Sequence, residues 1–367
     1  MASIVVDTNV PVPMRDGVRL FADIYRPSPS GHYPVLLQRT PYDKSAGRAQ
    51  FLDAIRAAEQ GYAVVIQDTR GRYSSEGEFI PFLSDIQDGY DTVEWCAGEP
   101  WSNGRVGMYG ISYVGATQWL AAIAAPPHLC AIVPGMTASN YHDGWVYRGG
   151  ALNLVFIAGW TAQFLAVPHL KRLGLTPDQR HDEEAAIMGS LDHLRRTLSH
   201  LPLSGLPMLR REKLAPYFYD WLKRPDGDEY WERFCILAHH DRIRIPALNI
   251  GGWYDLFPAG PLDNFAGLRN HGATDLGCTG NSRSSPSRES LRCSGVFNSA
   301  TRGADRGYRT SQTDSLRSEL RARHRFHRQA DRCRLQWLCG QSLRGHYSWA
   351  LPRQRASRHF DGTGKTV

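Results

Sequence analysis

One serine stands in a sequence context that is typical of an enzymatic nucleophile. Ser112 lies between an apolar, strand-like run (Val106–Tyr109) and a helix-like run that begins at Tyr113, in the local pattern G-x-S-x-x-G. A serine on a tight strand-to-helix turn takes a strained backbone that exposes its hydroxyl. The N-terminus of the following helix supplies N–H groups where an oxyanion would form. The pattern predicts a nucleophile elbow, and a simple N-cap serine is the structural alternative.

A serine nucleophile needs a base and an acidic group that orients the base. In one large class of serine hydrolases these residues follow in the order serine, acid, histidine. Asp255 is the best candidate for the acid because it follows the strand-like run Ile245–Ile250. It is therefore expected at the same sheet edge as Ser112. Capping of a helix near Gly260 is the alternative role for its carboxylate.

Strand and helix signals alternate over the first part of the chain. An Asp-Gly turn at Gly17 separates two alternating runs, which predicts a hairpin of Ile4–Val12 and Val18–Tyr25. The alternation beyond it predicts the α/β class, with a doubly wound, mostly parallel sheet. The predicted elements after the hairpin are strand Pro34–Arg39, helix Phe51–Gln60, strand Tyr62–Gln67, helix Asp85–Cys96, strand Val106–Tyr109, helix Tyr113–Ala124, strand Cys130–Val133, strand Ile245–Ile250 and helix Gly260–Arg269.

Several short motifs also connect the chain to a known family. They resemble, in order, motifs of the CocE/NonD hydrolases, which include cocaine esterase-like enzymes, α-amino-acid ester hydrolases, cephalosporin acylases and the related X-Pro dipeptidyl-peptidases. The resemblance covers residues 1–275 and implies an α/β-hydrolase fold, no cofactor, and a small ester, amide or short-peptide substrate. The motifs are Met14–Leu20, Arg39–Lys44, Gln67–Arg72, Gly110–Gly115 and Gly251–Asp255.

The resemblance implies roles for individual residues. Ser112 matches the nucleophile, Asp255 the triad acid, and Tyr42 a tyrosine whose hydroxyl donates to the oxyanion. The backbone N–H of Tyr113 is the implied second donor. A phenol is neutral at pH 7, and its hydrogen bond strengthens as charge develops on the substrate oxygen. Judged without the family, Tyr42 is a turn aromatic.

Other positions match the family less specifically. Three aromatic residues resemble positions that line the acyl pocket, although by themselves they would be interpreted as core aromatics: Trp145, Trp160 and Phe257. Three polar residues resemble a structural loop held by ion pairs: Asp68, Arg70 and Arg72.

The histidine that the family places after the acid, in a Gly-Pro-Trp-x-His context, is missing. His271 lies too close behind Asp255, and the next histidine is His324. Without a base, a serine hydroxyl is a poor nucleophile near pH 7. Two hypotheses stay open, a serine hydrolase and a catalytically inactive, incomplete hydrolase fold. Four other histidines are expected to be surface or cap residues: His128, His142, His239 and His240.

Composition changes near Leu276. Residues 277–367 contain 17 Arg, one Lys and six acidic residues, a net charge of +12, whereas residues 1–276 have a net charge of −5. The last segment has no Ile and two Val, so it offers little for strands. One explanation is a basic, disordered tail that binds nucleic acid or an acidic partner. The favoured explanation is a slip of the reading frame near Leu276.

A shifted reading frame would give the last segment a different sequence. Back-translation of His324–Cys333 with a shift of one nucleotide permits a strand-like peptide that resembles the family's C-terminal β-domain. We therefore expect that β-sandwich domain to be absent or garbled here. The overall charge of +7 is then weak support for a nucleic-acid partner, since no nucleic-acid-binding motif accompanies it.

The predicted organisation has four parts. Residues 1–136 and 245–276 form the α/β-hydrolase core, residues 137–244 form an inserted helical cap rich in aromatic residues, and residues 277–367 form the basic segment. No apolar run reaches 18 residues, so no membrane partner is predicted. No metal site is predicted, and a homo-oligomer stays open. Three isolated cysteines fit a reducing, cytoplasmic location: Cys96, Cys130 and Cys235.

Overall fold

The structure, a computed structural model, describes residues 4–209 and 212–270. Within those residues, six strands form one sheet in the order β1-β2-β4-β3-β5-β6. Strand β3 is parallel to β4 and β5, and β5 is parallel to β6, whereas β1 and β2 add an antiparallel edge. The α/β class and the mostly parallel sheet are thereby confirmed. The strands are β1 (Val5–Pro13), β2 (Arg19–Arg26), β3 (Tyr33–Thr40), β4 (Ala63–Asp68), β5 (Ser102–Ile111) and β6 (Leu129–Gly135).

The predicted N-terminal hairpin is present. Val12 pairs with Leu20 across β1 and β2, and Gly17 in the turn has φ of +85°, a conformation that glycine adopts without steric cost. Strand β2 also pairs with β4, in the antiparallel direction. The hairpin therefore forms one edge of the sheet, opposite the edge that carries β6.

Both faces of the sheet are covered, as the buried character of β4 predicts. Ala63 and Val65 point into the larger apolar cluster on one face, and Val64 and Ile66 into a smaller cluster on the other. All four are fully buried. A parallel sheet needs helices on both faces for this reason. The helices of the core are α1 (Lys44–Gly47), α2 (Ala54–Glu59), α3 (Asp85–Gly98), α4 (Tyr113–Ile123) and, after the cap, α11 (Ala259–Asn270).

The predicted strand at residues 245–250 is only partly realised. It lies beside β6 and pairs with it through two separate bridges, Ile132 with Ala247 and Gly135 with Ile250. Between them stands Pro134, which has no N–H to donate across the gap. A continuous ladder is interrupted for that reason. The carbonyl of Pro134 still accepts a bond from the N–H of Ile250.

Residues 137–244 are mostly helical, as expected for the cap, with one two-stranded hairpin of β7 (Tyr147–Arg148) and β8 (Ala151–Leu152). A π-helical segment, Thr161–Ala166, directly follows α5. The predicted boundaries of cap and core stay a prediction. The cap helices are α5 (Leu154–Trp160), α6 (Val167–His169), α7 (Pro177–Asp192), α8 (Leu194–Thr197), α9 (Pro216–Leu222) and α10 (Glu229–Glu232), with 3-10 turns at Leu170–Arg172, Leu203–Gly205, Pro207–Leu209, Glu212–Leu214 and Ile236–Arg242.

The expectations for residues 277–367 lie outside the described residues. Across the part that is described, no helix combines the length and apolar character needed to cross a bilayer.

Candidate active site

Ser112 occupies a sharp turn between the end of β5 and the start of α4. Its backbone has φ of +62° and ψ of −127°, a region that side chains other than glycine rarely enter. Such strain persists where the surrounding structure holds it, and it is frequent at catalytic sites. The N–H of Ser112 donates to the carbonyl of Gly135 at 2.9 Å, which ties the turn to β6. The strand, sharp turn and helix predicted around Ser112 are present, and its role as a nucleophile stays a prediction.

Small residues make this turn possible. A Cβ atom at Gly110 would collide with the side chain of Val114. A Cβ atom at Gly115 would lie 2.8 Å from the carbonyl oxygen of Gly135, closer than real Cβ atoms approach a neighbour. Helix α4 can therefore pack against β6 only because position 115 has no side chain. The close contact between α4 and β6 explains why the pattern ends in a glycine at position 115.

The hydroxyl of Tyr42 is adjacent to Ser112. The indole Nε1 of Trp160 donates to the phenol oxygen at 2.9 Å, and the Ser112 side chain lies close enough to lower the pKa of the phenol. Burial raises the pKa of Tyr42 to about 12, so the phenol keeps its proton at neutral pH. Since Trp160 fills an acceptor position of the oxygen, the phenol proton is available for donation on the side of Ser112.

Tyr113 contributes its backbone and its side chain in different ways. It is the first residue of α4, so its N–H has no acceptor within the helix and is available at the turn. Its hydroxyl donates to Asp85 Oδ2 at 2.7 Å and accepts from the N–H of Phe82 at 2.8 Å. Burial raises the pKa of this phenol well above its usual value. Through these two hydrogen bonds, the Tyr113 side chain stabilises the start of α4 next to Ser112.

The carboxylate that anchors Tyr113 belongs to a buried ion cluster that sequence reasoning missed. Arg39 at the end of β3 contacts Asp85 at 3.1 Å and Asp88 at 3.8 Å, and none of these side chains is more than 5% exposed. Burial raises the pKa of Asp85, whereas the adjacent Arg39 charge acts in the opposite direction. The acidic start of α3 beside a strand-end arginine is the signal that would have indicated it.

The three predicted pocket aromatics gather around this site. Trp145 stacks on Phe257 with ring centroids 4.4 Å apart and meets Trp160 edge to face at 5.5 Å. Trp160 in turn stacks on Tyr113 at 6.0 Å. Trp145 is completely buried, which also fits the alternative of a core aromatic. Their role in binding an acyl group stays a prediction.

Asp255 lies at the same edge of the sheet as Ser112. The end of β6 joins the two regions, because the N–H of Ser112 donates to Gly135 and the N–H of Met136 donates to Ile250. Asp255 follows five residues later and is half-buried. Its Oδ2 accepts from the N–H of Phe257 at 3.1 Å, so it also stabilises the turn that leads into α11.

The loop after β4 contains ion pairs at two of the three predicted positions. Asp68 pairs with Lys44 at 3.2 Å, and Arg70 pairs with Asp88 at 2.6 Å. The prediction is wrong for Arg72. Its guanidinium is buried and donates instead to three backbone carbonyls, those of Pro41, Phe164 and Leu165. Main-chain oxygens of the loop before Tyr42 and of the cap converge at this point and take the place of a carboxylate.

The histidines in the described residues serve other contacts. His240 is buried against the Asn264 amide oxygen at 3.0 Å, and His128 pairs with Glu94 at 2.7 Å. His142 contacts the carbonyl of Pro225, and His239 that of Glu232. Over residues 4–209 and 212–270, no histidine is hydrogen-bonded to Ser112. His271 and the later histidines lie outside the described residues.

In the described part of the chain, His, Cys, Asp and Glu side chains form no group of three or more that could hold a metal ion. The chemistry open to the arrangement is that of a serine hydroxyl with a phenol and a helix N–H beside it.

The fold and this site define an α/β hydrolase, and comparison with known proteins agrees. The structure is similar to a CocE/NonD family hydrolase from Staphylococcus aureus, with 22% identity, a TM-score of 0.56, and coverage of 72% of this chain and 44% of that one. It is also similar to an α-amino acid ester hydrolase, with 23% identity, a TM-score of 0.53, and coverage of 73% and 45%. At these identities the likeness concerns the fold.

Sequence comparison gives the family. The family described as X-Pro dipeptidyl-peptidase (S15 family) matches residues 16–282. A cocaine esterase from Rhodococcus sp. (strain MB1 Bresler) is 40% identical over 273 residues, which are 72% of this chain and 47% of that protein. The chain belongs to this S15 family of CocE/NonD type hydrolases. It spans about half the length of the relatives named here.

Proposed function

We propose that this chain carries the nucleophile half of a serine hydrolase that cleaves a small ester or amide through an acyl-enzyme. The observation that carries the proposal is the backbone of Ser112, which has a positive φ at the elbow, with the Tyr42 hydroxyl beside it. Ser112 would attack the carbonyl carbon. Tyr42 O–H and the N–H of Tyr113 would donate to the oxyanion, and water would release the acyl group.

Asp255 would orient the imidazole of a histidine that acts as the general base, although no described histidine is hydrogen-bonded to Ser112. The hydroxyl of Ser112 would pass its proton to the imidazole during attack, and the imidazole would return it to the leaving group. An ester is the favoured substrate class because the relative that shares 40% identity is named as an esterase. A short peptide with an X-Pro bond is the alternative, from the family's description.

A fluorophosphonate probe tests the nucleophile directly, because it forms a covalent bond with an activated serine and is detected as a mass increase. We expect addition at Ser112 in the full chain and none in Ser112→Ala. Tyr42→Phe should slow the addition by about 100-fold, the effect typical of one lost oxyanion donor. Ser139→Ala is the matched control. The buried hydroxyl of Ser139 donates to Asn264, so removing it should leave the labelling of Ser112 unchanged.

The second hypothesis, an incomplete and inactive fold, is favoured by the absence of a histidine bonded to Ser112 among the described residues. It predicts slow labelling that added imidazole accelerates, since a free base would replace the missing side chain. A fast reaction without imidazole would instead show that the chain supplies its own base. Equal labelling of the wild type and Ser112→Ala would overturn the proposed nucleophile.

A further inference from the structure

A cavity of about 330 Å³ lies between the loop that carries Tyr42, the loop after β4 and the cap. Its wall is strongly basic. Arg72, Lys171 and Arg172 line it together with Lys44, whose charge is paired with Asp68, and Asp43 is the acidic residue of the lining. A site with this balance of charge attracts anions.

The arginines of this cavity are not neutralised by acidic side chains. Arg72 donates to the three carbonyls described above, and Arg172 donates to those of Tyr73 and Ser75 at 3.0 and 2.8 Å. Within the described residues, no carboxylate lies at ion-pair distance from Arg72, Lys171 or Arg172. Carbonyl dipoles fix the guanidinium groups in place and leave their net charges uncompensated.

The guanidinium of Arg72 is immobilised in the wall of this cavity. Its side chain is 98% buried, lies 5.1 Å from the centroid of Phe79, and is held from three directions. Burial lowers its pKa, which is the expected result of holding a cation without an acidic partner. Lys171 is by contrast exposed at the rim and free to close on a ligand.

We propose that this cavity binds a small oxyanion, a phosphate or a carboxylate group, between the Tyr42 loop and the cap. The fixed guanidinium of Arg72 supplies charge at the base, and Lys171 supplies a mobile donor at the rim. Ser45 and Ser74 add hydroxyl groups to the lining. The cavity is large enough for a ligand of several heavy atoms, since known ligand pockets start near about 300 Å³.

Calorimetric titration of the full chain in a low-salt amine buffer tests the site, with inorganic phosphate as one probe and citrate as the other. We expect saturable one-site binding of at least one probe. Tighter binding of phosphate or of citrate distinguishes the two sources of the oxyanion. Lys171→Gln should weaken the affinity about tenfold, as expected for the loss of one charge-assisted hydrogen bond.

Two pairs of variants separate a specific site from general charge attraction. Lys223→Gln makes the same change at another exposed cap lysine and should leave the affinity unchanged. Ser45→Glu places a carboxylate in the lining and should abolish binding, whereas Ser30→Glu, before the opposite end of β3, should not. Urea midpoints close to that of the wild type would show that the variants are folded.

The proposal is overturned if neither probe binds saturably, or if Lys223→Gln weakens binding as much as Lys171→Gln does. It is also overturned if Ser45→Glu binds like the wild type. None of these measurements depends on Ser112 or on hydrolysis, so failure of the proposed function would not affect them.

Discussion

The two sides of the candidate site, around Ser112 (the nucleophile side) and around Asp255 (the acid side), differ in how deeply their aromatic residues are buried. On the nucleophile side, Trp145 is fully buried and Trp160 is 7% exposed, and both pack next to the elbow. On the acid side, Trp253 is 62% exposed and Tyr254 is 85% exposed, just before Asp255. Both sides have tryptophan side chains near the candidate residue. The difference therefore lies in what surrounds them.

The backbone shows the same contrast. Ser112 lies between two continuous elements, β5 and α4, whereas the acid follows a segment joined to β6 by two separate bridges. Contacts among the described residues are thus sufficient to fix the nucleophile side. Within residues 4–209 and 212–270, the acid side is joined to the sheet only by the two bridges to β6, and the chain spans about half the length of its relatives. We infer that the nucleophile side is the more stable of the two.

The largest expected contrast comes from removing one tryptophan on each side. Trp145→Ala should lower the free energy of unfolding by about 3–5 kcal/mol, because a buried indole leaves a cavity. Trp253→Ala should lower it by about 1 kcal/mol or less, because 62% of the residue is exposed and little burial is lost. Urea denaturation followed by circular dichroism measures both. Similar losses for the two variants would remove the basis for the comparison.

A glycine substitution tests how tightly the elbow is packed. Gly115→Ala should cost about 1–3 kcal/mol, because its Cβ meets the backbone of β6. Gly159→Ala, in helix α5 with open space around it, is the matched control and should be neutral or stabilising by up to about 1 kcal/mol. Thermal or urea unfolding gives the comparison. A neutral Gly115→Ala would mean that α4 can move away from β6.

Hydrogen exchange compares the two backbones without any substitution. The amide of Met108 in β5 should exchange at least about tenfold more slowly than those of Leu248 and Ile250, since isolated pairings open more easily than a continuous ladder. Mass spectrometry of peptic fragments resolves these segments. Equal protection would show that the acid side is as firmly held as the nucleophile side.

The smallest effect concerns the pH dependence of stability at His169, in the cap helix α6 that follows the nucleophile side along the chain. Burial, followed by the charges of Arg72 and Arg172, lowers the pKa of His169 to about 4. Its usual value is about 6.5, so below that pH the unfolded chain takes up a proton that the folded protein does not. Stability should therefore fall as the pH falls from about 6.5 toward 4. The urea midpoint should fall less over this range in His169→Gln, and parallel curves would contradict the assignment.

Local patterns were sufficient to predict much of this fold. The Asp-Gly turn predicted the β1–β2 hairpin, and the Ser112 pattern predicted both the turn and the helix after it. Each of these features depends on residues close together in the sequence. The interrupted pairing of residues 245–250 was not predicted, because Pro134 acts from the neighbouring strand, more than 100 residues away.

Contacts between distant residues account for what the sequence did not reveal about the site. The bond from Trp160 to Tyr42 joins residues 118 positions apart, and that from Arg72 to Leu165 spans 93. No periodicity encodes such a distance. Arg72 was grouped with ion-pairing residues because Asp68, Arg70 and Arg72 together resemble a structural loop of the family that is held by ion pairs. Only the folded chain shows carbonyl groups in its place.

The bond from Trp160 to Tyr42 has a consequence for the rotation of the phenol O–H. When the cap is closed, the indole proton occupies one side of the phenol oxygen, and the O–H bond is confined to the remaining directions. If the cap lifted, water would solvate every side of that oxygen and the O–H bond would sample them all. The cap thus lowers the rotational entropy of one hydroxyl before a substrate arrives, and the cost is met during folding rather than during catalysis.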